Sequence, residues 1–120
     1  MNLARHRYEA IPPISRDEAL RLLERGTPLD RSRALLGLAL HDSDWRWVQN
    51  LSLDHLGDSD PAIRATAALA LAHLARIHGK LDLETVLPAL NSLKEDPVIG
   101  GRVEDALSDI SIFASDGSDG

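Results

Sequence analysis

Apolar residues recur along this chain every three or four positions, the spacing that lays one face of an α-helix against a core. Ala19, Leu22 and Leu23 form the first such stripe, with Ser15 and Glu18 ahead of it as a capping-box pair and Gly26 behind it as a stop. Thr27-Pro28 restarts the chain, because proline suits a first helical turn. A second helix over about 29–41 then presents Ala34, Leu35, Leu38 and Ala39. The polar HDSD, His41 to Asp44, precedes a third helix over about 44–56, with Trp47, Val48, Leu51 and Leu56 as its apolar members. GDSDP breaks the chain before a fourth helix over 61–78, which Gly79 closes. LDLETVLPALNSL predicts a fifth helix bent at Pro88, and EDP restarts the chain for a sixth over 97–113. Residues 1–14 carry Pro12-Pro13 and no period, which predicts an extended arm; the small, polar, acidic end predicts a disordered tail over 115–120.

The helical stripes repeat. Setting Pro28 on Pro61 pairs Arg31 with Arg64, Ala34 with Ala67, Leu36 with Leu69 and Leu38 with Leu71, at an offset of 33 residues. Setting Pro61 on Pro97 pairs Ile63 with Ile99, Ala67 with Val103, Ala70 with Ala106 and Leu74 with Ile110, at an offset of 36. Three helix pairs with recurring apolar positions predict an all-α fold, a short α-solenoid in which each pair buries its face against the next.

The stretch DPAIRATAALALAHL is similar to the second-helix signature of HEAT repeats, Asp-Pro-x-Val-Arg-x-x-Ala-x-x-Ala-Leu-x-x-Leu. Asp60, Pro61, Ile63, Arg64, Ala67, Ala70, Leu71 and Leu74 fall on its positions. The third pair keeps Asp96-Pro97 and Ala106-Leu107 but has Gly100-Gly101 where the signature has Arg; the first keeps Pro28 and Arg31 but lacks the Asp. The period is shorter than the roughly 40 residues of typical HEAT units. The resemblance implies a right-handed HEAT-like solenoid of about three antiparallel helix pairs over 15–114. It also implies structural, stacking roles for Arg31, Asp60, Pro61 and Arg64.

Composition narrows the chemistry. Aromatics are only 3% of the chain, so Leu, Ala, Ile and Val must build the core, which favours helix over strand. There is no cysteine, hence no disulfide and no thiolate metal site, which is compatible with a cytoplasmic location. The start has charge without an apolar h-region, so no signal peptide is expected. No apolar run approaches the roughly 20 residues of a membrane span. The net charge is −6, placed unevenly: residues 1–33 hold seven Arg against five acids, and residues 34–120 hold six basic residues against fourteen acids. Such a body repels phosphate backbones and attracts basic proteins, so the expected partner is a protein and not nucleic acid.

Catalytic and metal sites find no support in the residue pattern. His73 and His78 are five apart and point away from each other, and His41 with Asp42 and Asp44 reads as an acidic loop beside a helix start. No nucleophile stands with a base and an orienter. Glu104 and Asp105 are adjacent, so on a helix they diverge by about 100° and form no acid–base couple. No catalytic residue, metal ligand or cofactor is therefore expected. Of the two tryptophans in DWRWV, Trp47 lies four before Leu51 and is expected in the core. Trp45, on another face beside Asp42 and Asp44, either anchors a partner or packs over the preceding loop.

By size, charge and architecture the chain also resembles bacterial immunity proteins of polymorphic and contact-dependent inhibition toxin systems. That resemblance implies a non-enzymatic cytoplasmic protein, monomeric until bound, that neutralises a basic, nuclease-type toxin domain with an acidic surface. Asp42, Asp44, Trp45, Glu104, Asp105 and Asp109 are the candidate partner-binding residues. The alternative is a general HEAT scaffold or adaptor in a bacterial assembly. A HEAT-like lyase or repair glycosylase would need a basic groove, against the charge found here.

Overall fold

The computed structural model describes residues 11–117. They form helices α1 (Arg16–Arg25), α2 (Pro28–His41), α3 (Trp45–His55), α4 (Pro61–His78), α5 (Leu83–Asn91) and α6 (Gly100–Phe113), with two-residue strands β1 (Lys80–Leu81) and β2 (Ser115–Asp116). Four of the six helix starts are set by local side chains that satisfy otherwise orphaned backbone N–H groups. The Ser15 hydroxyl accepts from the Glu18 N–H at 3.2 Å. Thr27 and Asp30 close a complete capping box ahead of α2. Asp44 accepts from the Trp47 N–H, and Asp60 from the Ala62 N–H. Gly79 ends α4 at φ 68°, a left-handed conformation that glycine adopts without a Cβ penalty.

The last helix begins later than its sequence suggests. Asp96 Oδ1 accepts from the Val98 and Ile99 N–H groups, turning the chain before regular helix starts at Gly100. A Cβ on Gly100 would sit 2.5 Å from the Lys94 carbonyl oxygen, so only glycine fits this close passage. Pro88 stands inside α5, which continues to Asn91.

Helices α2, α4 and α6 lie side by side, with α4 in the middle; α1 packs on α2, α3 on α4 and α5 on α6. Near their starts, Ser32 Oγ of α2 meets Thr66 Oγ1 of α4 at 3.0 Å. Near their ends, Arg76 of α4 meets Asp109 of α6 at 2.9 Å. Equivalent ends therefore meet, and the three helices run parallel. The buried alanines Ala67, Ala68 and Ala70 combine high helix propensity with the small size that close helix packing needs. Leu35, Leu38, Ile63, Leu71, Leu74, Leu90 and Ile110 fill the spaces between layers. No helix among the described residues is long and apolar enough to cross a membrane.

Of the two flanks, the C-terminal one departs from its sequence-based description. Of the expected N-terminal arm, residues 1–10 lie outside the described residues. Residues 11–14 lie against α2: a Cβ on buried Gly37 would come within 3.0 Å of Ile14 Cγ2 and 3.2 Å of the Pro12 carbonyl oxygen. The expected disordered tail is corrected at residues 115–117. Ser115 and Asp116 pair in parallel with Lys80 and Leu81, and the Ser115 and Gly117 N–H groups donate to the Gly79 and Leu81 carbonyls at 2.9 Å. A small, polar segment buries little apolar surface of its own; here main-chain hydrogen bonds to an existing edge order it instead. Residues 118–120 lie outside the described residues.

Candidate functional site

Two arginines in equivalent positions stitch the turns together. Arg31, near the start of α2, donates from Nε to the Leu23 carbonyl at 3.1 Å and pairs with Asp58 ahead of α4. Arg64, near the start of α4, donates to the carbonyls of Asp58 and Ser59 and pairs with Asp96 ahead of α6 at 3.2 Å. These four side chains are only 15–21% exposed. The Asp60 and Arg31 N–H donors hold the Asp58 carboxyl below its usual range. The backbone N–H groups of Val98 and Ile99, and then Arg64, do the same for Asp96. Asp60 itself caps α4, with Pro61 in the first turn behind it, and the Arg64 guanidinium goes to its three turn partners.

The α2–α3 turn gathers Asp42, Asp44 and Trp45, and ties each to the rest of the chain. Arg16 grips Asp42 with Nε and Nη2, both at 2.9 Å, and this fork is the main cause of a lowered Asp42 pKa. Asp42 Oδ1 also accepts from the Asp44 N–H at 2.8 Å. Asp44 caps α3 and lies 3.8 Å from Arg16. The same Arg16 guanidinium lies over the Trp47 ring, 4.3 Å from its centroid. Trp47 is half-buried: it packs against the core and is covered by this cation, so the expected core position is met in part. Trp45 is also half-buried: Arg46 lies 4.6 Å from its ring centroid, and a Cβ on Gly117 would be 2.8 Å from its Cη2.

Behind Trp45 stands a polar network that the sequence reading missed. Arg46 forks onto both Asp82 oxygens at 3.1 Å and donates to the Gly117 carbonyl at 2.6 Å. Gln49 is fully buried; its Nε2 donates to Asp82 Oδ2 at 2.8 Å, and its Oε1 accepts from the Asp82 N–H at 2.7 Å. Arg46 is the main cause of the lowered Asp82 pKa, with Gln49 adding to it. No local pattern marks Gln49, because its partner lies 33 residues away.

The remaining candidates lie on α6. Glu104 and Asp105 are exposed and form no ion pair among the described residues, while Asp109 is half-buried and held by Arg76. Asp105 and Asp109, with Arg102, wall a cleft of about 170 Å³ whose other side is Ala65, Leu69 and Ala72 of α4. A second cleft of about 420 Å³ at the helix starts shares Ala65 and Arg102 and extends to Ser32, Thr66 and Val98. The six candidates therefore form two groups: Asp42, Asp44 and Trp45 are bound into a turn, and on α6 Glu104 and Asp105 are exposed while Asp109 is held by Arg76. No group of three or more His, Cys, Asp and Glu side chains among the described residues is placed to hold a metal ion.

His73 lies within α4 at 4% exposure, and burial, then Arg76, push its pKa down, against a smaller opposing pull from Asp109. A folded-state pKa below the unfolded value means that the unfolded chain takes up the proton more readily. The stability it contributes is complete above about pH 6.5 and is lost as pH falls from there toward the folded value. Wild type should be measurably easier to unfold in urea at pH 5.5 than at pH 7.5, and His73→Gln should flatten that difference. An equal loss in both proteins would clear His73 of the effect. The depressed aspartates act lower: their contribution is present above about pH 4 and is lost as pH falls through their folded pKa values.

No protein-family profile and no curated protein sequence matches the chain. The HEAT resemblance thus rests on residue pattern alone. The fold is similar to that of a chain in the crystal structure of a CDI (contact-dependent growth inhibition) complex from Cupriavidus taiwanensis LMG 19424. The two share 31% sequence identity at a TM-score of 0.76, over 84% of this chain and 90% of that one. At that identity and coverage, the chain belongs to the same family as this component of the CDI complex.

Proposed function

We propose that this chain is a non-catalytic immunity protein that binds and neutralises a cognate toxin domain in the cytoplasm, remaining monomeric until bound. The observation that carries this reading is the 31% identity, across nearly the whole of both chains, with a component of a CDI complex. The net charge of −6 supports assignment to the inhibiting side and a basic, nuclease-type toxin surface opposite it, because acidic groups can occupy positions that substrate phosphates would take. The parallel α2, α4 and α6 layer, each helix with its partner, supports a HEAT-like solenoid as the scaffold that presents this surface.

The test is to look among the neighbouring genes for a large secreted protein with a C-terminal toxin domain, and to co-express that domain with this chain. Expected results are a stable complex on size exclusion, restored growth of toxin-expressing cells, and an affinity that weakens on the order of tenfold between low and high salt. A complex indifferent to ionic strength would remove the charge argument. Failure to protect, with recovery only of housekeeping complexes in a pull-down, would favour a general scaffold or adaptor.

A further inference from the structure

The cleft between α4 and α6 has the chemistry of a receptor for one long basic side chain. Its floor is apolar and low, formed by Ala65, Leu69 and Ala72, and its wall carries Asp105 and Asp109. A lysine or arginine buries its methylene stem on apolar surface while its charged head seeks a carboxylate. Asp109 already holds Arg76, whereas Asp105 has no cationic partner among the described residues. An unmet charge therefore stands on the cleft wall, directly beside its apolar floor.

Two further observations point to the same face. Helix α6 itself holds one basic residue, Arg102, against three acids, Glu104, Asp105 and Asp109. Over the described residues, the acids of the other helix starts, Asp42, Asp58, Asp82 and Asp96, are taken up by Arg16, Arg31, Arg46 and Arg64. The stripe that walls the cleft is also flanked by apolar residues: Arg102, Asp105, Asp109 and Ile112 follow each other at three- and four-residue steps on one face of α6, and Val98 lies in the turn before it. Val98 is 67% and Ile112 68% exposed, an arrangement of apolar anchors around central charge that suits a protein partner.

We infer that the α4–α6 cleft is where the toxin domain docks, with one arginine or lysine of that domain laid over Ala65, Leu69 and Ala72 and its head group on Asp105. This rests on the immunity reading above and adds the surface and the residue chemistry to it. Arg102, one turn before Asp105, is left to meet a carboxylate of the same partner. The turn that holds Asp42, Asp44 and Trp45 then serves the fold, and the binding role falls to α6.

The purified toxin domain is titrated against wild type, Asp105→Arg, Ile112→Ser and Asp54→Arg, with circular dichroism confirming the fold of each. Asp54 is exposed near the end of α3 and makes the same charge change away from the cleft. Asp105→Arg is expected to weaken binding by about tenfold or more, Ile112→Ser by several-fold, and Asp54→Arg by less than about twofold. Equal binding by wild type, Asp105→Arg and Ile112→Ser overturns the cleft and leaves the immunity reading standing. No binding by wild type overturns the immunity reading, and the cleft inference with it. Sedimentation without toxin provides the last arm: a wild-type dimer that Asp105→Arg makes monomeric would assign the cleft to a second copy of this chain and overturn the inference.

Discussion

Leu71→Ala is expected to lower the unfolding free energy by about 3 kcal/mol, the largest effect of any single substitution considered for this protein. Leu71 is fully buried on α4, the helix that packs against α2, α3 and α6 at once. Truncation removes the transfer energy of three carbons and leaves a cavity between helices that cannot all close on it together. For a domain whose total stability is on the order of 5–15 kcal/mol, that is a large share, and it should appear as a clear shift in the urea midpoint. Leu69, two residues earlier, is half-buried on the cleft face, and Leu69→Ala should cost only about 1 kcal/mol. Equal losses at the two positions would refute the placement of α4 with its Leu71 side inward.

Asp96→Ala should lower the urea midpoint clearly, because one carboxylate serves three donors. Its Oδ1 turns the Val98 and Ile99 N–H groups toward α6, and its Oδ2 receives Arg64. The alanine variant leaves two backbone donors to water and a largely buried guanidinium without its anion. Asp96→Asn separates these roles. The amide oxygen can still accept from the backbone, so about half of the loss should return, while the coupling to Arg64 disappears. A double-mutant cycle with Arg64→Met measures that coupling directly. Zero coupling between 64 and 96 would show that the arginine serves only the Asp58 and Ser59 carbonyls.

What could be read from the sequence was local. Ser15, Thr27, Asp44 and Asp60 cap the helices they precede, since a cap needs only a side-chain oxygen and the next few N–H groups. Gly79 and the helical class follow from equally short-range rules. The shift of the sixth helix start from Pro97 to Gly100 also has a local cause, the Asp96 turn, but a proline beside an acid looks the same in either arrangement. The candidate site was less legible, because charge composition cannot show which carboxylates are already taken. Asp42 looked free until Arg16, 26 residues away, closed on it; Asp105 looked equivalent and has no such cation among the described residues. Trp47 followed the apolar period to the core, and the Arg16 guanidinium that covers its ring comes from a residue 31 positions away that the period does not show. Trp45, the Gln49–Asp82 pair and the ordering of 115–117 depend on contacts across 33 to 71 residues, which no window of sequence contains.

The span from Arg46 to Gly117 has a temporal meaning. Two segments separated by 71 residues share a hydrogen bond that also covers Trp45. During synthesis α1 to α4 can assemble once α4 has emerged, since their contacts need nothing beyond residue 78. The clasp of 115–117 onto 80–81 cannot form until residue 117 has left the ribosome, and the loop it closes makes it an entropically late event. A nascent chain stalled short of that point would hold folded helices with Trp45 covered by Arg46 but without its Gly117 neighbour.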